Sequence, residues 1–167
     1  LSESSFAARE LATRLNDYNR ERRDIETSMQ ADALALLENG TFSVSDTDFA
    51  LSLYQADWHQ GVVGILASRI RERFHRPTLI FAQAGDGELK GSGRSIPGFH
   101  LRDALDRVAT LNPGLISKFG GHAMAAGLSL AESNLPQFRD AFNRVASEVM
   151  NGSLSLIHIS EPTRRSY

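Results

Sequence analysis

The first forty residues repeat apolar side chains at alternating spacings of four and three, which places them on one stripe of a helix. The stripe consists of Leu11, Leu15, Tyr18, Arg22, Ile25 and Met29, with an arginine at one of its six positions. No proline interrupts residues 4–38, and Asn39-Gly40 is a typical helix end. The pattern predicts one long helix within residues 1–39, about 50 Å long. A coiled-coil or bundle helix is the alternative interpretation.

After residue 40 the pattern alternates between the strand period of two and the helix period of 3.6. The predicted strands cover residues 49–55, 78–82, 89–95 and 124–130. The predicted helices cover 62–74 and 99–110 and a segment that follows Ser133, with a short helical turn at 115–119. Asp57 and Ser133 are the expected N-caps of the first and last of these helices. The predicted fold class is α/β, a mixed sheet of about four or five strands flanked by helices and preceded by the long helix.

Composition narrows the function classes. The 167 residues have a net charge of −2, so any contact with nucleic acid must be local. The absence of cysteine excludes disulfides and thiolate chemistry and fits a reducing cytoplasm. No apolar run reaches the length of a membrane span.

The start at Leu1 indicates a fragment of a longer polypeptide. Residues 151–167 lose the preceding periodicity and are interpreted as a non-native tail after a domain at 40–150.

The segment Gly91-Ser92-Gly93-Arg94-Ser95 places one cation and two hydroxyls between glycines. An arginine offers a planar fork to phosphate oxygens, and serine hydroxyls and backbone amides add shorter donors. Glycines let another molecule approach the main chain closely. The segment therefore predicts a phosphate-binding strand edge, while an ordinary turn with a surface cation is the alternative. No Walker A pattern is present, because Lys90 precedes the glycines.

A second segment runs from Gly120 to Gly127 and places His122 directly after a glycine pair. An imidazole in that position can donate, accept or titrate near neutral pH, although a loop with a partly buried histidine is equally typical. Trp58 and His59 precede a predicted helix N-terminus, where anions are favoured, and could line a ligand surface. A core position is the stronger interpretation for Trp58, and local capping is the alternative for His59. The acidic and histidine residues show no metal-site spacing, so no metal ligand is predicted.

Four segments carry a family resemblance, in this order: 57–65, 90–95, 98–99 and 119–127. With these segments, the chain closely resembles the DHH-associated domain of RecJ-type single-stranded-DNA exonucleases, in the DHH phosphoesterase superfamily. The resemblance covers about residues 1–150. It implies that residues 1–39 form a connecting helix, which joins a substrate-binding domain at 40–150 to a catalytic lobe encoded upstream. The family more often has an acidic residue at the position of His100, which weakens the cap expected for the following helix.

The resemblance also implies the function of the parent protein: removal of nucleotides from the 5′ end of single-stranded DNA by metal-dependent phosphodiester hydrolysis, in DNA repair and recombination. Mn²⁺ or Mg²⁺ would be bound by the upstream lobe, so the chain alone would hold no catalytic residue and no cofactor and would hydrolyse nothing. Expected partners are single-stranded DNA and other DNA-repair proteins, in the cytoplasm and away from membranes. The residues implied to bind substrate are Ser92, Gly93, Arg94, Ser95, Gly120, Gly121 and His122.

Two other function classes stay open. One is a non-catalytic nucleic-acid-binding module like the domain attached to alanyl-tRNA synthetases. The other is a phosphoesterase of the same superfamily that acts on short oligonucleotides or small nucleotides. The segments at 57–59 and 91–95 favour the exonuclease branch, and a cysteine-bearing editing motif is lacking.

Overall fold

The computed structural model describes residues 2–39 and 44–152, apart from the side chains of residues 2, 3, 36 and 37. The chain divides into two compact units, Leu1–Phe42 and Ser43–Tyr167. Of the predicted tail at 151–167, only residues 151 and 152 fall within the description, where they form a turn. None of the helices in the described ranges combines the length and apolar character needed to cross a membrane.

The first unit contains one helix, α1 (Ser2–Glu38), which matches the predicted span of 4–38 closely. Its 37 residues correspond to a length of about 55 Å. The first half of the predicted apolar stripe is exposed, since Leu11, Leu15 and Tyr18 are 60%, 61% and 63% exposed, whereas Met29 at its end is buried. Local contacts along the helix include an Arg14–Glu10 ion pair at 3.0 Å, one turn apart.

The second unit is a five-stranded mixed sheet with helices on both faces, and it confirms the predicted α/β class. The sheet order is β1-β2-β3-β5-β4, with β1 and β2 parallel and the other pairs antiparallel. In chain order the elements are β1 (Leu51–Tyr54), α2 (Val63–Phe74), β2 (Thr78–Gly85), β3 (Glu88–Arg94), α3 (Leu101–Leu111), β4 (Lys118–Gly121), β5 (Ala125–Ala131) and α4 (Leu135–Met150). A short 3₁₀ turn, Glu132–Asn134, precedes α4.

Helices α3 and α4 cover one face of the sheet and form the main core with it. Phe138 and Phe142 of α4 stack with their ring centroids 5.5 Å apart, and Phe81 of β2 meets Phe138 edge-on at 5.8 Å. All three rings are fully buried, and burying each one contributes about 1.5–3 kcal/mol to stability. The apolar side of the 3.6-residue pattern in α3 and α4 is thus the side that packs against the sheet.

Helix α2 packs on the opposite face, over β2 and β3. Its buried side includes Leu66, Ala67 and Ile70. The same face of the neighbouring strands β5 and β4 carries exposed residues, among them Gly127 and Lys118. This face therefore changes from a helix-covered half to an open half at β3.

Three local predictions are wrong. Residues 118–121 are the edge strand β4 and not the end of a helical turn, because they pair in register with β5. Asp57 does not cap α2, because a turn separates it from the helix. In that turn the Val62 N–H donates to the His59 carbonyl at 3.1 Å. Val62 is the N-cap of α2 and forms no side-chain capping bond. Ser133 does not cap α4, because the 3₁₀ turn moves the N-cap to Asn134.

The start of α3 corrects the expectation of a weakened cap. His100 occupies the N-cap, and its Nδ1 accepts a hydrogen bond from the Asp103 N–H at 3.1 Å. The imidazole thus takes the capping role that an acidic side chain would otherwise have. The predicted hairpin turn after β2 is also present, with Asp86 and Gly87 both at positive φ, 55° and 72°.

Candidate nucleic-acid interface

The alternation of side chains along β3 decides which of its residues can meet a ligand. Lys90, Ser92 and Arg94 point to the face that α2 partly covers, and the intervening Gly91 and Gly93 point to the core. Burial follows the same alternation, with Gly91 and Gly93 buried, Lys90 exposed, and Ser92 and Arg94 intermediate.

The glycines of the first motif do not clear space for a ligand, which corrects the interpretation made from the sequence. A methyl group added at Gly91 would lie 2.6 Å from Cε1 of Phe81, and one added at Gly93 would lie 2.5 Å from Cδ2 of Leu79. These glycines make room for large core side chains under the strand. Gly93 contributes to the opposite face only through its carbonyl, which accepts a hydrogen bond from Arg94.

The guanidinium of Arg94 is held over the first turn of α2. Its Nη1 donates to the Gly93 carbonyl at 2.7 Å and to the Ser92 hydroxyl at 3.2 Å. Its Nη2 lies 2.8 Å from the point where a Cβ on Gly64 would stand. Gly64 is therefore the notch that admits the guanidinium, and the sequence signal was a helix-destabilising glycine in the first turn of a helix.

The electrostatics around Arg94 favour an anion. No carboxylate in the described ranges forms an ion pair with its guanidinium. The neighbouring N-terminus of α2 has no side-chain cap, so its free amides carry the positive end of the helix dipole. Two groups of like sign thus lie side by side, and an anion between them would be attracted by both.

Ser95 differs from its neighbours, because it is fully buried. Its hydroxyl donates to the Phe99 carbonyl at 2.5 Å, and its backbone N–H donates to the Met124 carbonyl at 2.6 Å. Both of its donors are therefore used inside the domain. Of the two serines in the motif, the structure leaves Ser92 as the one whose hydroxyl is near the surface.

The second motif forms the end of β4 and the hairpin to β5. Gly121 has φ of 136°, and the exposed His122 follows it, with its N–H donating to the Ala125 carbonyl at 2.7 Å. The hairpin is tied to the rest of the site by two backbone bonds, from Ser95 to the Met124 carbonyl at 2.6 Å and from Leu101 to the Ala123 carbonyl at 2.8 Å. The structure thus brings the two predicted motifs together.

The open half of this face is called the shelf below, and it consists of three cross-strand rows. In register these rows are Arg94–Ala125, Ser92–Gly127–Gly120 and Lys90–Ser129–Lys118. A methyl group on Gly120 would meet nothing within 4 Å, and one on Gly127 would meet only the Gly91 carbonyl, at 3.5 Å. These two glycines therefore leave the main chain accessible.

A groove of about 300 Å³ lies on the shelf. The residues that line it are Lys90, Gly91, Lys118, Phe119, Gly120, Gly127, Leu128 and Ser129. The sequence interpretation included Gly120 but missed the two lysines and Ser129. Lys90 was part of a motif segment without a role of its own, and its alignment with Ser129 and Lys118 depends on strand pairing that the sequence did not reveal.

Trp58 and His59 do not line this groove. Trp58 is only 5% exposed, in agreement with the core interpretation. His59 is exposed, and its Nδ1 accepts a hydrogen bond from the Gly61 N–H at 3.1 Å, which is the local capping role considered as its alternative.

The described residues contain no group of three or more His, Asp or Glu side chains that could hold a metal ion. The side chains present on the shelf are cationic or neutral, which is the wrong chemistry for divalent-cation ligands. The site therefore does not fit a divalent metal, and what it can do chemically is bind and orient an anionic ligand.

Comparisons with known proteins identify relatives of this chain. The single-stranded-DNA-specific exonuclease RecJ of Dickeya dadantii is 57% identical over 146 residues, which are 87% of this chain and 25% of that protein. A crystal structure of exonuclease RecJ bound to manganese aligns with a TM-score of 0.68 and 31% identity, over 84% of this chain and 32% of the other. A crystal structure of RecJ from Thermus thermophilus in complex with Mg²⁺ aligns with a TM-score of 0.62 and 32% identity, over 78% of this chain and 18% of the other.

A more distant match concerns the fold alone. The C-Ala domain of Aquifex aeolicus alanyl-tRNA synthetase aligns with a TM-score of 0.50 and 13% identity, over 59% of this chain and 90% of that domain.

The resemblance to RecJ-type exonucleases inferred from the motifs is confirmed, and the chain spans about a quarter of the length of the RecJ of Dickeya dadantii. The family model for the DHHA1 domain matches residues 46–148, and the chain belongs to the DHHA1 domain family.

Proposed function

We propose that this chain is the substrate-binding part of a RecJ-type 5′-to-3′ single-stranded-DNA exonuclease, and that its shelf binds a backbone phosphate of the DNA strand. The observation that carries the proposal is the position of Arg94. Its guanidinium is oriented by Ser92 and Gly93, faces the uncapped N-terminus of α2 and has no carboxylate partner among the described residues.

A phosphate suits this arrangement better than other anions. Both N–H groups of Nη1 are used by the Gly93 carbonyl and the Ser92 hydroxyl, so Nη2 and Nε are left to donate to two phosphate oxygens. The Ser92 hydroxyl and the backbone over Gly120 and Gly127 can approach the same group closely. Such contacts position a strand without reading its sequence, which suits an enzyme that removes nucleotides of any sequence.

Gly121 and His122 are proposed to meet the same strand from the hairpin side. His122 is exposed at the tip of the hairpin, and the hairpin is bonded directly to Ser95 at the end of the Arg94 motif. An imidazole there can donate to a phosphate oxygen or contact a sugar or base. The backbone at this position is held by the His122 N–H, which donates to the Ala125 carbonyl.

The parent reaction, phosphodiester hydrolysis, requires a metal-activated water when Mn²⁺ or Mg²⁺ is bound. The described residues do not fit such a metal, so the proposal assigns it to another part of the parent protein. This chain binds and orients the strand, and we expect it to hydrolyse nothing alone. A cytoplasmic location and a role with other DNA-repair proteins belong to the same proposal.

Two alternatives are less well supported. A module of the alanyl-tRNA synthetase type shares the fold at 13% identity, whereas the RecJ relatives reach 57% identity over 87% of this chain. A phosphoesterase for small nucleotides would also bind a phosphate at Arg94, which is called the Arg94 seat below, but its affinity would not increase with the length of the strand. The dependence of affinity on substrate length separates this alternative from the exonuclease.

The test is replacement of Arg94 by Ala in the 167-residue chain, with binding to labelled oligo(dT) measured by fluorescence anisotropy. Loss of a charge-assisted bond, about 1.5–3 kcal/mol, should weaken binding about 10- to 100-fold. Arg94→Lys should restore only part of the affinity, because an ammonium keeps the charge without the planar fork. Arg144→Ala, an exposed cation on α4, is the matched control and should bind like the wild type.

Folding of the Arg94→Ala variant should be close to normal, since the lost hydrogen bonds contribute only about 1 kcal/mol. Wild-type binding by Arg94→Ala would contradict the proposed phosphate seat. Unfolding of that variant would instead identify Arg94 as a structural cation. The parent enzyme carrying Arg94→Ala should show the same loss in substrate engagement.

A further inference from the structure

The chain contains only two lysines among its 18 Lys and Arg residues, Lys90 and Lys118. They are 28 residues apart in sequence, but the sheet places them in one row. Lys90 of β3 pairs with Ser129 of β5, which pairs with Lys118 of β4. Because paired residues share a face, both lysines project from the shelf. Every other cation of the chain is an arginine.

The two lysines flank Ser129, which is itself buried at 2% exposure. Neighbouring strands are about 4.8 Å apart, so the two Cα atoms are separated by about 10 Å. The groove of about 300 Å³ is lined by both lysines and by Ser129 and the glycine floor. Both lysines are exposed, and neither forms an ion pair with a carboxylate in the described ranges.

The lysine row is continuous with the proposed phosphate seat. Lys90 precedes Ser92 by two residues and Arg94 by four on the same face of β3, a span of about 13 Å. Gly127 and Gly120 fill the row between the two cationic ends. Beyond the lysines the next residue on this face of β3 is Glu88, whose carboxylate would repel a phosphate and so limits the cationic surface.

We infer that Lys90 and Lys118 bind the phosphodiester backbone of the same DNA strand, further along from the phosphate held at Arg94. This inference rests on the proposed function, because one backbone phosphate of the strand is taken to bind at Arg94. Cations at both ends of an uncharged glycine floor complement a linear polyanion, whereas a single small anion would occupy only one end. The contact is independent of sequence, since ammonium groups reach phosphates and not base edges.

The choice of lysine has a physical reason. A lysine carries a compact charge on a flexible four-carbon chain, so it can follow a phosphate whose position varies between strands. An arginine fork requires one fixed geometry, which suits a phosphate held at one position beside Arg94. The shelf thus combines one rigid contact with two adaptable ones.

The first test uses the double variant Lys90→Gln/Lys118→Gln in the 167-residue chain, with a twelve-residue oligo(dT) as the probe. Loss of two phosphate contacts should weaken binding about tenfold near 0.1 M salt. The plot of the logarithm of the association constant against the logarithm of the salt concentration should become shallower by about 1.4. The control Arg69→Gln/Arg144→Gln removes the same charge from exposed positions of α2 and α4 and should change neither quantity appreciably.

A short ligand separates the lysine row from the Arg94 seat. Thymidine 5′-monophosphate reaches only one end of the shelf, so its affinity, measured by competition, should be lowered by Arg94→Ala and unchanged in the lysine double variant. The inference is wrong if the lysine variant lowers the affinity for both ligands equally, or if the arginine control lowers the affinity for oligo(dT) as much. The lysines would then act only through the general electrostatic field of the protein.

The two proposals fail differently. Wild-type oligo(dT) binding by the lysine variant together with weak binding by Arg94→Ala overturns the lysine row and leaves the proposed function intact. Wild-type binding by Arg94→Ala overturns the seat itself, and the inference with it.

The second test uses the scarcity of lysine in this chain. An amine-reactive reagent can label only the two ε-amines and the chain's α-amino group, and mass spectrometry resolves each of them. Saturating oligo(dT) should reduce the labelling rates of Lys90 and Lys118 at least fivefold, while the α-amino group serves as the internal reference. Equal labelling of the lysines with and without oligo(dT) would overturn the inference, even if the double variant binds weakly.

Discussion

Two pairs of glycines lie on opposite faces of one sheet and have opposite tasks. Gly91 and Gly93 face the core, where an added methyl group would collide with Phe81 or Leu79. Gly120 and Gly127 face the shelf, where an added methyl group has free space or an ordinary contact. Core packing thus requires the first pair, and access to the main chain accounts for the second.

The comparison teaches that a glycine-rich motif cannot be assigned a role from its letters alone. The side-chain period of a strand is two, so the task of each glycine depends on its parity relative to the buried residues beside it. Leu89 is the reference on β3: positions 91 and 93 share its face and positions 92 and 94 do not. The chemistry of the first motif therefore belongs to its non-glycine residues.

The largest expected effect comes from Gly91→Ala. Overpacking the contact with Phe81 and Leu128 should lower the free energy of unfolding by about 1–3 kcal/mol. Urea denaturation measures this, with Gly120→Ala as the control, whose stability should change by less than about 0.5 kcal/mol. Oligo(dT) affinity of the folded Gly91→Ala fraction should equal the wild type. Equal stability of both variants would remove the distinction between the two faces.

A smaller effect, on binding alone, is expected from Gly64→Ala. Alanine is favoured over glycine in a helix by up to about 1 kcal/mol, so the melting temperature should stay the same or rise. The new methyl group would meet Nη2 of Arg94 at 2.8 Å and the Ser92 hydroxyl at 3.3 Å, which displaces the guanidinium. Oligo(dT) affinity should therefore fall about tenfold, or about 1.4 kcal/mol.

A double-mutant cycle sharpens that result. If Gly64 acts only by admitting the Arg94 guanidinium, Gly64→Ala should cause no further loss of affinity in the Arg94→Ala background. Additive losses would mean that Gly64 contributes to binding by another route. The Gly64 notch would then not be part of the phosphate seat.

The smallest effect is expected from Gly127→Ala, which places a methyl group on the floor of the shelf. Its nearest neighbour would be the Gly91 carbonyl at 3.5 Å, so stability should change by less than about 0.5 kcal/mol. A strand lying on the floor would be lifted, and we expect oligo(dT) affinity to fall about threefold, or about 0.7 kcal/mol, by anisotropy. An unchanged affinity would show that the strand does not rest on this glycine.

Long periodic segments explain the part of the fold that could be predicted. Helix α1, the helices α2 to α4 and the strands containing Leu53, Ile80 and Leu89 follow from patterns of 3.6 and two. Strand β4 could not be predicted, because four residues ending in Gly120-Gly121 are too short and too poor in β-branched side chains. Only its pairing with β5, a non-local contact, makes it a strand.

Of the candidate site, too, only the part carried by local motifs could be predicted from the sequence. Arg94 and His122 were identified from local chemistry, and the fold brings their motifs together. The burial of Ser95 depends on the turn through Gly98, which returns the Phe99 carbonyl to its hydroxyl. The Gly64 notch and the Lys90–Lys118 row depend on packing between elements far apart in sequence. Such juxtapositions are tertiary, so no single-sequence motif could give them.

The two backbone bonds that tie the β4–β5 hairpin to Ser95 and Leu101 have a thermodynamic consequence. Proteins open locally in cooperative units, and a hairpin tip is ordinarily among the first parts to open. Here the tip cannot separate without breaking the Ser95–Met124 and Leu101–Ala123 bonds, which hold the end of β3 and the start of α3. Local unfolding of the hairpin would therefore also release the backbone beside Arg94. The free energy of that opening sets the fraction of molecules in which the seat is formed, and hence an upper limit on the apparent affinity for DNA.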